Sequence, residues 1–289
     1  MSLCQKLREA VEQTSLQVPG APNALFARMV EQAGFKATYL SGAAFSAAQF
    51  ALPDIGLFTL TELAQETARI SKRINIPVIV DADTGFGEAV NVERTIVELE
   101  SAGASAIQLE DQQLPKRCGH LSGKSLVTAD EMCAKIRAAV ATRRESIIIA
   151  RTDARAGEGF DCAVERAKQY VQAGADWVFP EAMKSKDEFE QFAKSIDVPL
   201  VANMTEFGKS PLLSFAELQD LGFAIILYPV TLLRLAAKAV ENGLQQIMEA
   251  GTQSELIDQM QTRGELYELL EYELFENRDR KHFGGSNHE

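Results

Sequence analysis

The sequence predicts an α/β chain closed into a (β/α)8 barrel of the TIM type. Short apolar, β-rich runs alternate with longer amphipathic stretches throughout. Several of those stretches stop at Ala-Gly, as at Ala33-Gly34, Ala102-Gly103 and Ala173-Gly174, which ends a helix before a strand. Eight such units within about 240 residues match the size of that barrel.

In order, the strand runs are 16–18, 37–40, 76–80, 104–109, 146–150, 176–179, 198–202 and 223–227. Helical patterns between them include 24–33, 60–74, 92–102, 129–141, 162–173 and 186–195. A doubly wound open sheet fits less well, because no Gly-rich phosphate turn follows any of the runs. No linker composition interrupts the chain. It reads as a single barrel domain over 1–289, with C-terminal helices from about 252 to 289.

Of the 289 residues, 46% are apolar and 24% charged, which is globular composition rather than disorder. The net charge of −12, with no long basic block, argues against a nucleic-acid or anionic-membrane surface. The four cysteines, Cys4, Cys118, Cys133 and Cys162, match neither zinc spacing nor a CxxC redox pair. With no apolar leader and no membrane-length run, a reduced cytoplasmic location is the expectation.

Polar groups follow nearly every strand run. In order they are Tyr39 with Ser41 and Gly42, Asp81 with Asp83, Glu110, Arg151 with Asp153, Glu181, Asn203 with Thr205 and Glu206, and Tyr228-Pro229. Residues two apart on a strand point the same way. A barrel gathers such groups at its C-terminal mouth, so they predict one shared site. Asp81, Asp83 and Glu110 form an all-oxygen set suited to Mg²⁺, or Mn²⁺, rather than Zn²⁺. Asp81 and Asp83 are the expected metal residues, with Asp54 and Glu110 holding waters. A carboxylate cluster neutralised by arginines such as Arg151 is the competing reading.

Lys116-Arg117-Cys118-Gly119-His120 places two cations, a thiol and an imidazole in five residues. Nearby cations favour a thiolate and attract carboxylate substrates. Pro115, Gly119 and Gly123 mark the stretch as a loop, and 112–125 is expected to close over a ligand.

Together with Asp81–Gly87, Glu110-Asp111-Gln112, Ala150–Asp153, Phe179-Pro180-Glu181 and Asn203–Gly208, these motifs resemble the isocitrate lyase/phosphoenolpyruvate mutase superfamily. The similarity is greatest to its 2-methylisocitrate lyases. It extends over nearly the whole chain, to 251–267. The resemblance implies Mg²⁺-dependent cleavage of (2R,3S)-2-methylisocitrate, a small tricarboxylate, to pyruvate and succinate in propionate breakdown by the methylcitrate cycle. It assigns Ser41, Gly42, Ala43, Cys118, Gly119, Arg151, Glu181, Asn203, Met204, Thr205, Arg234 and Arg263 to the substrate. Ala43 departs from the family pattern, where a second glycine is usual.

Within that reading Cys118 donates the proton to the succinate carbanion. Arg151 and His120 hold developing carboxylate charge, and Tyr39 is the expected base, with a metal-linked water as rival. Phe179, Leu227 and Pro229 form the wall for the substrate methyl. An isocitrate lyase, an oxaloacetate decarboxylase or phosphonomutase-type sister enzyme, and a non-catalytic carboxylate-binding barrel are the alternatives. The resemblance also implies a homotetramer of helix-swapped dimers. The 252–276 segment, with Ile257, Met260, Leu266, Leu269 and Leu270 at helical spacing, fits the exchanged element.

Overall fold

The computed structural model describes residues 1–117, 119 and 123–283. The chain divides into two compact units, 1–234 and 235–289.

In the first unit, α1 (Leu3–Gln13) precedes β1 (Leu16–Pro19). There follow α2 (Ala24–Gln32), β2 (Thr38–Leu40), α3 (Gly42–Phe50), α4 (Leu60–Ser71), β3 (Val78–Asp81), α5 (Ala89–Ser101) and β4 (Ala106–Glu110). The second half runs α6 (Ala129–Thr142), β5 (Ile147–Thr152), α7 (Ala154–Gly157), α8 (Phe160–Gln172), β6 (Trp177–Pro180), α9 (Lys186–Ser195), β7 (Val201–Asn203), α10 (Phe215–Asp220) and β8 (Ile225–Tyr228). All eight expected strands are present, within a few residues of the sequence reading.

Every strand pair is parallel. Strands β2 to β6 pair in chain order, and β8 lies between β1 and β7. Single bridges at Gly20–Tyr39 and Val178–Leu200 join the two sets and close the barrel. The caps explain where the helices start. Asn23, Thr59, Thr128, Ser185 and Ser214 each accept the N–H three residues on, satisfying a donor the helix leaves orphaned.

Strand alternation sorts the core into layers. Val18, Tyr39, Ile79, Ala106, Ile149, Phe179, Val201 and Leu227 fill the barrel interior. Leu40, Val80, Ile107, Leu109, Ile148 and Ala150 face the helices on one side, and Val178, Ala202 and Ile226 on the other. Burial of each large aliphatic or aromatic side chain here is worth about 1.5–3 kcal/mol. Those interior positions lead directly to the site. Two residues beyond Ile79, Ile149, Phe179 and Val201 on the same face stand Asp81, Arg151, Glu181 and Asn203.

A helix α11 (Thr231–Ala250) starts in the first unit and continues into the second, which adds a 3-10 turn (Ser254–Gln259), α12 (Arg263–Leu269) and α13 (Tyr272–His282). The 252–276 segment is thus not one helix. Thr262 and Glu265 form a capping box that restarts the chain as α12, and Glu271 adopts φ 58°, ending that helix before α13.

Candidate active site

The mouth of the barrel holds a cavity of about 100 Å³ within the first unit. Tyr39, Ser41, Ala43, Asp54, Asp81, Glu110, Gly119, Arg151, Phe179, Glu181, Asn203, Thr205, Leu227, Pro229 and Arg234 all line it. Nearly every strand therefore contributes, as expected for a site at the C-terminal face.

Asp81 ends β3 with its carboxylate enclosed by N–H donors. Oδ2 accepts from Gly42 N at 3.1 Å, and Oδ1 accepts from Asp83 N at 3.2 Å and Gln108 Nε2 at 3.0 Å. A Cβ on Gly42 would stand 3.0 Å from Asp83 Oδ1 and 3.3 Å from Asp81 Oδ2, so the glycine lets backbone approach both acids. The two aspartates converge, though not by strand alternation. Asp83 lies past the strand end at φ 48°, a conformation aspartate tolerates better than most residues. Its own carbonyl accepts from Glu110 N at 2.9 Å, which locks the turn onto β4.

Lys116 Nζ lies 2.5 Å from both Asp54 Oδ1 and Asp83 Oδ1, although its side chain is almost wholly buried. Burial opposes that charge, but Asp83, Glu110 and Asp54 outweigh it and hold the ammonium well above the usual lysine range. Burial pushes the Asp83 carboxyl up to about 7, against the pull of Lys116 and with Asp81 and Asp54 adding to it. Burial likewise raises the Glu110 carboxyl well above the usual carboxylate range, against Arg151 and Lys116, and among the described residues its Oε1 has no hydrogen-bond partner. The acids are thus neutralised partly by a lysine and partly by Arg151, which reaches Glu110 at 3.4 Å.

Arg151 is fixed from several sides. Its Nε and Nη2 donate to Asp153 at 3.0 and 3.2 Å, its Nη1 lies 3.5 Å from Glu181, and it sits 5.2 Å above the Phe179 ring. Such a bidentate pair holds the planar fork rigid. Asn203 Nδ2 donates to Glu181 Oε2 at 3.1 Å, while its Oδ1 is buried with no partner in the described structure. That orphan acceptor, like Glu110 Oε1, lies on a cavity-lining residue and calls for a polar ligand.

Arg234 Nη1 donates to Thr205 Oγ1, Glu206 O and Glu206 Oε2, at 3.5, 2.8 and 2.6 Å. Ser41 lines the cavity, and its Oγ caps α3 by accepting from Ala44 N. Met204 turns into the core, where its sulfur accepts from Leu213 N. Arg263 opens α12 in the second unit. Cys118 and His120 lie outside the described residues.

Around them the loop is pinned. Gln112 exchanges two hydrogen bonds with the Arg117 backbone, and Gln113 N donates to Ser125 O. Lys124 Nζ donates to both Asp153 and the Gly119 carbonyl. Gly119 lies directly against Arg151 and Glu181.

Tyr39, the expected base, stands on β2 and lines the cavity. Its hydroxyl donates to Gln108 Oε1 at 2.8 Å, and burial together with Asp81 pushes the phenol well above its ordinary value.

Gln108 and Lys124 escaped the sequence reading, and Lys116 was read as a partner of the thiol rather than of Asp54 and Asp83. Gln108 had a signal: it is a polar residue that shares the interior parity of Ala106 and Glu110, between apolar Ile107 and Leu109. Nothing local marks Lys124 as the partner of Asp153.

Comparison with known proteins places the chain in a family. The family model described as phosphoenolpyruvate phosphomutase matches residues 7–248, so the chain belongs to that family. A relative from Aeropyrum pernix named 2-methylisocitrate lyase is 53% identical over 274 residues, covering 94% of this chain and 89% of that protein. A 2,3-dimethylmalate lyase of the phosphoenolpyruvate mutase/isocitrate lyase superfamily superposes with a TM-score of 0.93 at 33% identity, covering 99% of this chain and 97% of the other. A phosphonopyruvate hydrolase solved with oxalate and Mg²⁺ superposes at 0.87 and 34% identity, over 96% and 98% of the two chains.

Proposed function

We propose that this chain is a Mg²⁺-dependent carbon–carbon lyase that cleaves (2R,3S)-2-methylisocitrate to pyruvate and succinate, within propionate breakdown by the methylcitrate cycle. The observation that carries the reading is the 53% identity, over 94% of the chain, to a relative named for that reaction.

The cradle suits a hard divalent ion. Among the described residues no three of His, Cys, Asp or Glu form a ready cage, and Mg²⁺ needs only one or two carboxylates with waters and substrate oxygens. Among the described residues buried Glu110 Oε1 has no partner, and burial opposes charge on the Asp83 carboxylate. Asp81 and Asp83 would hold the ion, with Asp54 and Glu110 next to it. When bound it supplies Lewis acidity to the hydroxyl and carboxylate that become pyruvate.

The chain's own residues do the rest. Arg151 and Arg234 bind carboxylates, and Ser41, Gly42, Ala43, Gly119, Glu181, Asn203 and Thr205 orient the substrate. Arg263 and the Met204 backbone are further contacts by family position. As the carbon–carbon bond breaks, the substrate hydroxyl gives its proton to a base, the leaving succinate carbanion takes one from Cys118, and His120 stabilises charge beside it. The 112–125 loop excludes water that would quench the carbanion. Phe179, Leu227 and Pro229 receive the C2 methyl.

The same reading takes the protein as a cytoplasmic homotetramer of helix-swapped dimers. Leu235, Val240, Leu244 and Met248 are largely exposed on α11, as an apolar face awaiting a second copy is. No described helix is long and apolar enough to cross a membrane.

The test is purified protein with Mg²⁺ offered methylisocitrate, isocitrate and oxaloacetate, with pyruvate and glyoxylate measured separately. Pyruvate from methylisocitrate is expected, with a preference over isocitrate of about 10–200-fold, the worth of one methyl in an apolar pocket. Equal specificity constants for the two substrates would remove the methyl wall, and turnover of oxaloacetate alone would replace the lyase by a sister activity.

A further inference from the structure

The buried row Asp81–Gln108–Tyr39 has a direction. Among the described residues the donors aimed at Asp81 are N–H groups, from Gly42, Asp83 and Gln108, so both its oxygens act as acceptors. The Gln108 amide must therefore turn its NH₂ end to Asp81. Its carbonyl is then left for Tyr39, 2.8 Å away, and that contact needs a hydrogen from the phenol. Gln108 is 1% exposed and Tyr39 3%, so bulk solvent hardly reaches the bond between them. A tyrosine has a single hydroxyl hydrogen. Spent on Gln108, it leaves only lone pairs on the hydroxyl oxygen of Tyr39, a residue that lines the cavity.

We propose that Gln108 is a specificity-determining residue that fixes Tyr39 as a hydrogen-bond acceptor, so that the cavity selects a ligand hydroxyl over a carbonyl oxygen at that place. The inference rests on the reading of the cavity as a hydroxy-acid site. A ligand hydroxyl donates to Tyr39. A carbonyl oxygen there meets lone pairs and gains nothing, unless the phenol gives up Gln108. Gln108 touches no ligand and acts through Tyr39, so its substitution should change which ligand is preferred rather than how tightly acids bind in general.

The test is calorimetric binding of (S)-malate and oxaloacetate, a hydroxy acid and its oxo counterpart, to the full-length protein in saturating Mg²⁺. The wild type is expected to favour malate. Gln108→Met keeps the side-chain length but frees the phenol to turn and donate outward. It should shrink the malate-to-oxaloacetate affinity ratio about fivefold, the size of one net hydrogen bond. Tyr39→Phe should shrink it by a similar factor without disturbing Gln108, and the double variant should go no further. A purely structural role would weaken both ligands together and leave the ratio alone. Should Gln108→Met fail to fold, Tyr39→Phe still decides. A ratio within about twofold of wild type in folded Tyr39→Phe overturns the proposal. Because binding is measured directly, absence of methylisocitrate cleavage with the ratio shift intact would sink the lyase reading alone. Cleavage with an unchanged ratio would sink this inference alone.

Discussion

Replacing Gly119 by alanine tests the catalytic loop directly. A methyl group at Gly119 would lie 2.3 Å from Arg151 Nη2 and 2.6 and 2.8 Å from Glu181 Cγ and Cδ. Comfortable contacts between such atoms begin near ~3.5 Å, so roughly 1 Å must be found. Arg151 cannot readily supply it, since Asp153 holds its fork on two nitrogens, and Glu181 is fully buried against Asn203. The loop must retreat instead, and Cys118 is the preceding residue. Misplacing a reacting group by about 1 Å costs on the order of 10²-fold in rate. Steady-state assay of pyruvate release should therefore show kcat/KM down about 10²-fold, mostly in kcat. The melting temperature should hardly move, because no barrel contact is lost. Gly157→Ala is the control: a Cβ there meets nothing within 4 Å, and activity should be retained. If Gly119→Ala works within about threefold of wild type, the loop does not have to sit against Arg151 and Glu181 for catalysis, and the reasoning fails.

Three further outcomes are expected. Cys118→Ser should lower turnover by about 10²–10⁴-fold while calorimetric binding of Mg²⁺ and succinate persists, since a positioned acid contributes that much; near-normal turnover would remove the thiol from proton transfer. Asp83→Ala should abolish metal-dependent cleavage and weaken Mn²⁺ binding measured by calorimetry, and EDTA should silence the wild type; full activity in chelator would refute the metal. Arg263→Ala should raise KM or lower kcat/KM with an unchanged sizing profile, whereas truncation at about residue 250 should disturb both; wild-type kinetics for Arg263→Ala would make it a solvated surface arginine.

The sequence by itself determined the barrel and most of its mouth. Periodicity marks eight strands, and the residue two beyond a buried strand position shares its face, so Asp81, Arg151, Glu181 and Asn203 could be placed at one opening from one-dimensional spacing alone. Capping pairs such as Thr59 with Glu62 lie within one turn and need no tertiary contact to form. Tertiary structure decided the pairings. Lys116 meets Asp54 and Asp83 across long sequence separations, and Lys124 meets Asp153 through the fold of the loop. Asp83 reaches the site through a left-handed turn rather than a continued strand. The direction of the Tyr39–Gln108–Asp81 row follows only from which groups lie within bonding distance. Spacing along a chain fixes which face a side chain takes, because backbone geometry repeats. Which opposite charge or lone pair it meets there is set by closure of the barrel, which brings together residues that no local rule relates.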